Sequence, residues 1–227
     1  MREFSLHFTT TIKNNIIFSM TNNSVNNPTK TDLTLYRQQF NKIILLSYMA
    51  LDIAAFAESK GSNNLIERLD LTCGAIPAGD FEDVIDPSAP DQFLELYTHV
   101  AEFRFAFSVT ELLRINTGFI DALNHYCYDQ GKSLAQAKLT SVNEAFDYMN
   151  AFVLDGIPSD RTRKIIEQTE EKIVWKKLND THEEFWTKAG CTVDVYYQLQ
   201  AYFVNGLFEA SEIKFLNDKN ETFTICF

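Results

Sequence analysis

Three residues with the chemistry of metal ligands or proton-transfer groups are regularly spaced in one stretch of the sequence. Glu95, His99 and Glu102 lie within Phe93–Leu113, a stretch that otherwise carries mostly large apolar side chains. At about 100° per residue, their spacing places them within an arc of roughly 60° on one helix face. Carboxylate and imidazole groups aligned in this way can bind a metal ion or transfer a proton. They are equally typical of a solvated stripe near a helix start, where acidic side chains favour the positive end of the helix.

The other histidines differ in whether they can join this group. His125 forms its own i, i+4 pair with Asp121, and in a helical hairpin it would lie ~15 Å from His99, too far to share an ion. His182 is free to approach His99, although it also fits a charged position on a solvated helix. The alternative metal-ligand set is therefore Glu95, His99, Glu102 and His182. No GxSxG, HExxH or GxGxxG motif occurs, and we expect no cofactor.

The charge of the chain restricts its partners. It carries 31 acidic and 20 basic residues, a formal net charge of −11, which argues against nucleic acid and acidic membrane surfaces as partners. The densest basic segment, Arg161–Lys177, is interrupted by Glu167, Glu170 and Glu171. This mixture predicts a solvated helix face rather than a phosphate-binding stripe.

Cysteine spacing and hydropathy predict a soluble cytoplasmic protein. The four cysteines form no CxxC pair, so free thiols in a reducing compartment are expected. The longest apolar run, Ile43–Ala57, contains Asp52 and falls short of the roughly 20 residues that span a bilayer. The first 20 residues lack the apolar core of a signal peptide. Met20 is an alternative start of translation, which leaves open whether residues 1–19 belong to the native protein.

Few glycines and prolines, together with helical periodicity, predict a mainly α fold. We expect a single-domain bundle of about six helices at 31–227, preceded by a strand at Phe4–Phe8 and a flexible tether within residues 1–30. Alternation near the end of the chain predicts a β-hairpin at 212–227, which could pair with the Phe4–Phe8 strand. The six helices are predicted at 31–59, 88–116, 119–129, 133–155, 159–188 and 193–211, with a shorter piece at Asn64–Leu71.

An acidic loop at 72–91 interrupts the helical pattern. Glycines and prolines punctuate it, and Phe81 is expected to anchor it against the body of the protein. Long ordered loops are more often functional than short ones. The loop is therefore a candidate for binding a partner or a cation, although it lacks the spacing of an EF-hand.

Aromatic residues on two predicted helices provide a second candidate contact. Phe103, Phe105 and Phe107 alternate along a helix, and Tyr196 and Tyr197 are adjacent, so each set cannot face one core. Either these helices are buried on two sides, or they present aromatic rings to a partner or an apolar ligand.

The leading hypothesis is a non-catalytic protein-interaction module that binds a basic partner through its acidic surface and an aromatic patch. Its proposed contacts are Asp80, Phe81, Glu82, Asp83, Asp86, Phe105 and Tyr197. The alternative is a metal-dependent or acid–base helical enzyme that uses Glu95, His99 and Glu102. A third hypothesis is a helical pocket for an apolar ligand.

Overall fold

The computed structural model describes residues 33–86, 88–135, 138–157 and 160–227. The predicted strand at Phe4–Phe8 and the tether lie outside these residues. The division into a tether at 1–30 and a domain at 31–227 therefore stays a prediction. The predicted mainly α fold is confirmed, but the described residues form eight α-helices rather than about six.

The helices account for most of the described chain. They are α1 (Thr34–Ser59), α2 (Leu65–Cys73), α3 (Phe81–Val84), α4 (Pro90–Ile115), α5 (Ile120–Leu134), α6 (Val142–Phe152), α7 (Glu183–Ala189) and α8 (Val193–Leu207), with a 3-10 turn at Thr117–Phe119. The longest two, α1 and α4, pack along each other, and α5 packs along α8. Helix α4 begins two residues later than the predicted residue 88: Ala89 occupies the N-cap, and Ser88 bonds to Asp86.

A four-stranded antiparallel sheet covers one side of the helices. Its strands are β1 (Arg163–Gln168), β2 (Lys172–Lys177), β3 (Lys214–Asp218) and β4 (Thr222–Cys226), in the order β1-β2-β4-β3. The predicted terminal hairpin is therefore present as β3 and β4. Its described partner is β2, paired so that Trp175 lies opposite Phe223. Trp175 also meets Phe146 of α6 edge-on, with ring centroids 5.2 Å apart.

The prediction of a helix at 159–188 is wrong. The segment forms the β1–β2 hairpin followed by α7, so the basic residues of Arg161–Lys177 do not lie on a helix face. The physical reason is that β-branched and aromatic residues fill the inner face of β2, where Ile173 and Trp175 are buried. Thr169 closes the turn, since its hydroxyl accepts a hydrogen bond from the Lys172 amide.

The helix predicted at 119–129 is longer than expected, because it continues through Gly131 to Leu134. Gly131 lies inside α5, where an added Cβ would stand 2.0 Å from the carbonyl oxygen of Phe203 in α8. Gly206 is its counterpart in α8, with an added Cβ 2.2 Å from the Tyr128 carbonyl oxygen. The two glycines let the backbones of α5 and α8 touch. The next helix begins at Val142, later than the predicted residue 133.

Burial accounts for the aromatic residues of α4 and α8. Phe103, Phe105 and Phe107 are all buried, because α4 is enclosed by α1, α2 and α7. Tyr196 and Tyr197 are buried as well. Phe105 and Tyr197 therefore do not form the exposed aromatic patch that we expected from the sequence.

Helix α1 is longer than the apolar run that marks it in the sequence. It spans 26 residues, and its length and hydropathy would suffice to cross a membrane. The same properties belong to the central helix of a soluble domain, and 56% of its most apolar window is buried inside the protein. Its contacts with α4, α2 and α6 are those of a core helix.

Candidate functional site

A buried charge triad, formed by Glu102, His182 and Asp155, lies between the helices and the loops that precede the sheet. Glu102 comes from α4, Asp155 follows α6, and His182 precedes α7. His182 Nδ1 is 3.1 Å from Glu102 Oε2, and its Nε2 is 3.5 Å from Asp155 Oδ1. The side chains of His182 and Glu102 are each only 1% exposed. The tertiary fold thus places one imidazole between two carboxylates in the interior.

The triad contains a histidine that is cationic at neutral pH. Burial alone would lower the pKa of His182, but the charges of Glu102 and Asp155, each close to one ring nitrogen, outweigh it and raise the pKa to about 10. Burial would likewise raise the pKa of Asp155, yet His182 and Arg163 hold it well below its usual range. His182 is therefore cationic and Asp155 anionic near pH 7.

The contacts within the triad are ion pairs rather than well-aligned hydrogen bonds. The 3.5 Å contact to Asp155 is long for a hydrogen bond, and neither ring nitrogen of His182 makes an aligned bond within the described chain. The carboxylate oxygens of Glu102 likewise make no aligned hydrogen bond within the described chain. The attraction depends on the low polarity of the surroundings rather than on directional bonds.

Asp155 connects the triad to an adjacent cleft. Its Oδ2 accepts a hydrogen bond from the hydroxyl of Thr162 at 2.8 Å and pairs with the guanidinium of Arg163. Arg163 also donates to Asn150 Oδ1 at 2.7 Å. Its guanidinium carbon lies 5.9 Å from the ring of Trp175, so the group is held from several directions.

The cleft has a volume of about 460 Å³ and a surplus of positive charge. It opens between α1, α6 and the segment that leads into β1. Its charged residues are Lys42, Asp155, Arg161 and Arg163. We call this site the cationic cleft. Its other described lining residues are Gln39, Phe146, Asn150, Val153, Gly156, Ile157, Thr162 and Ile165.

Lys42 is the most unusual group in the cationic cleft. It comes from α1, is partly buried, and forms no ion pair within the described parts of the chain. Burial and the neighbouring charge of Arg163 lower its pKa to about 8, while Asp155 acts in the opposite direction. An amine with this pKa exchanges protons readily near neutral pH.

Gly156 and Ile157 form one wall of the cationic cleft. Gly156 has a φ of +68°, and an added Cβ would stand 2.3 Å from Asp160 Oδ2. That same oxygen accepts the Ile157 amide at 2.7 Å, and Gln39 of α1 donates to the Gly156 carbonyl at 2.6 Å. The bond from Gln39 attaches Gly156 to α1, three residues before Lys42.

Arg161 lies at the rim of the cleft with a left-handed backbone. Its φ is +48°, which is uncommon for a residue with a side chain, and its side chain is exposed. Such conformations occur often at binding sites. The next residue, Thr162, is held by a backbone hydrogen bond, because its carbonyl oxygen accepts the Leu178 amide at 2.8 Å.

The structure divides the Glu95, His99 and Glu102 stripe. Glu95 and His99 are exposed, and the His99 ring packs 5.3 Å from that of Phe185, whereas Glu102 points into the core. Of the four alternative metal ligands, the fold brings together only Glu102 and His182. The alternative of a solvated position for His182 is wrong, since its side chain is buried. In the described residues, no group of three or more histidine, cysteine or acidic side chains is arranged to hold a metal ion.

The acidic loop keeps its charged residues at the surface. Asp80, Glu82, Asp83 and Asp86 are exposed, whereas Phe81 is buried and anchors the loop against Phe40 of α1. Arg37 of α1 forms an ion pair with Glu82 and lies over the Phe81 ring. As a buried residue, Phe81 cannot contact a partner directly, which corrects its assignment as a contact.

Sequence reasoning missed Lys42, Asp155 and Arg163. Lys42 had one available signal, since it is a lysine among the apolar residues of a central helix. Asp155 had none, because it follows a helix in an ordinary turn sequence. Searches against protein families, curated proteins and solved structures found no match to this chain.

Proposed function

We propose that this protein is a non-catalytic binding protein that holds a small anionic ligand, such as a phosphate or carboxylate compound, in the cationic cleft. The observation that carries the proposal is the position of Lys42: a partly buried ammonium group in a cleft of about 460 Å³, without an ion pair in the described chain. Cavities of this size accommodate small molecules.

The charges around the cleft support an anion. Asp155 is matched by Arg163, and Glu102 by His182. Lys42 and Arg161 are left as the uncompensated charges among the described lining residues. Two cations that line one partly desolvated cleft attract an anion more strongly than they would in bulk water. This local surplus contrasts with the net charge of −11.

A binding role also agrees with the protonation of the triad. An acid–base catalyst works best with a pKa near the operating pH, whereas His182 has a pKa of about 10 and is buried. His182 is not among the described residues that line the cleft. The triad then serves to fix Asp155, and through it Arg163, in position for the ligand.

The test is stabilisation by inorganic phosphate. Ligand at ten times its Kd raises the free energy of unfolding by about 1.4 kcal/mol, and urea denaturation at fixed ionic strength measures this. Phosphate at high concentration stabilises proteins in general, so the decisive quantity is the difference between variants. We expect Lys42→Met to weaken binding about tenfold or more, the typical effect of losing a charged hydrogen bond.

Lys176→Met is the matched control, because Lys176 is an exposed lysine on β2, outside the cleft. It should leave the phosphate effect unchanged. Equal stabilisation of the wild type, Lys42→Met and Lys176→Met would contradict the proposal.

A second candidate is the interaction with a basic protein expected from the sequence. It is supported by the exposed side chains of Asp80, Glu82, Asp83 and Asp86, and it no longer includes Phe81, Phe105 or Tyr197. Replacing Asp80 and Asp83 by Asn should weaken the binding of a basic partner without affecting phosphate binding.

We also propose a cytoplasmic location, which the four free cysteines support.

A further inference from the structure

We infer that Lys42 captures its ligand covalently, by forming an imine with a small anionic carbonyl compound such as a 2-oxo acid or an aldehyde that carries a carboxylate or phosphate. This inference rests on the proposed anion-binding function. It identifies the class of ligand and the atom that reacts with it, the Nζ of Lys42.

The geometry provides both parts of such a site. Lys42 Nζ has no carboxylate partner in the described chain that would hold it as a permanent ion pair, and it belongs to a cleft that admits a small molecule. Arg163, fixed by Asn150 and Asp155, and Arg161 at the rim provide cationic groups for the anionic end of the ligand. A compound bound through its anionic end would therefore present its carbonyl group to an amine of the same cleft.

The environment of Lys42 favours the uncharged amine that this reaction requires. Lysines become nucleophilic when they are desolvated or lie beside another cation. Both conditions lower the pKa of Lys42 to about 8. At pH 8 about half of the Lys42 amines are uncharged, compared with roughly one in 300 of ordinary lysines.

The reaction balances without an oxidant or reductant. The lone pair of Nζ attacks the carbonyl carbon, and a proton moves from nitrogen to oxygen to give a carbinolamine. The C–O bond then breaks and water leaves, so that one amine and one carbonyl give one imine and one water. The groups that face Lys42 and affect its protonation are Arg163, which opposes the charged form, and Asp155, which favours it.

The experiment uses glyoxylate, a small aldehyde that carries a carboxylate, with cyanoborohydride to reduce the imine. Peptide mapping by mass spectrometry then measures the rate of carboxymethylation at each lysine at pH 8. We expect Lys42 to react at least tenfold faster than the exposed Lys176. Inorganic phosphate should slow the reaction of glyoxylate at Lys42 alone, and propanal, which lacks the anionic group, should prefer Lys42 less than glyoxylate does.

Lys42→Arg keeps the positive charge and removes the reactive amine. It should lose the fast reaction, and a cooperative urea denaturation curve would show that the variant is folded. If phosphate stabilises the wild type but Lys42 reacts no faster than Lys176, the imine inference fails and the anion-binding function stands. If phosphate neither stabilises the protein nor slows the labelling, the anion-binding function fails as well, and the inference with it.

Discussion

The ring of His182 stacks on the ring of Tyr196, with centroids 3.8 Å apart and planes inclined by 27°. Tyr196 belongs to α8, and its hydroxyl donates to the Leu154 carbonyl at 3.0 Å, one residue before Asp155. The face of an aromatic ring attracts a cation, so the stack favours the charged form of His182. A single tyrosine therefore contacts both the imidazolium and the chain that carries one of its carboxylates.

Removing the charge of His182 should destabilise the fold strongly. His182→Leu leaves Glu102 buried without its cation, and breaking a buried pair in this way typically costs about 3–5 kcal/mol. Urea denaturation of the variant and the wild type measures the loss.

The double variant Glu102→Leu/His182→Leu provides the control. It removes both charges of the closer pair, while Asp155 keeps Arg163 and Thr162. We expect it to lose about 1–3 kcal/mol less than the sum of the two single variants. Strict additivity would show that the two residues do not stabilise each other.

The stability of the protein should fall as pH rises above neutral. The pKa of His182 is raised from 6.5 to about 10 in the folded state, so its contribution is complete below pH 6.5 and is lost as pH rises through 10. The slope should approach roughly 1 kcal/mol per pH unit. Because Lys42, with its lowered pKa of about 8, acts in the opposite direction above pH 8, the window to measure is pH 6.5–8. His182→Leu should abolish this slope, and an unchanged slope would contradict the assignment.

The contact between α5 and α8 should tolerate nothing larger than glycine. In Gly131→Ala the new methyl group would meet the Phe203 carbonyl at 2.0 Å, so the helices must separate, at a cost of about 1–3 kcal/mol. Gly118→Ala is the matched control, since its Cβ would approach only the side chain of Asn116, at 3.1 Å. Thermal denaturation should show a clear loss for the first variant and a small change for the second.

Arg161 should be a residue whose replacement by glycine weakens binding without weakening the fold. In Arg161→Gly the left-handed backbone is relaxed, which offsets the added flexibility and changes the free energy of unfolding by about 1 kcal/mol or less. The affinity for phosphate should fall several-fold, because a rim cation is lost. Lys219→Gly has the same backbone relief, with a φ of +52° in the β3–β4 turn, and should leave phosphate binding unchanged.

The sequence predicted the elements whose pattern is determined locally. Helices α1 and α8 and the terminal hairpin follow from the periodicity of their own residues. The β1–β2 hairpin was mistaken for a helix because its mixture of basic and acidic residues is also typical of a solvated helix face. Its stability comes from Trp175 packing on Phe146 and Phe223, which are distant in sequence. Local pattern carries no information about such contacts.

The candidate site was predictable only in part, for the same reason. Glu102 and His182 were both recognised as groups with chemistry, but their meeting depends on how α4 packs against the segment before α7. Glu95 and His99 share the helix of Glu102 and yet stay in solvent, so a common helix face did not give a common environment. Lys42 and Arg163 are 121 positions apart, and only the tertiary fold places them in one cleft.

The contrast between the cationic cleft and the acidic remainder of the protein has a consequence for which anions can be bound. A long polyanion would have to lie across much of the surface, where the net charge of −11 repels it. A small anion inside the cleft is affected mainly by Lys42, Arg161 and Arg163, since charges farther away than about 10 Å are largely screened at ordinary salt. If the cleft binds anions as proposed, the protein should discriminate among them by size, and lowering the salt concentration should sharpen that discrimination.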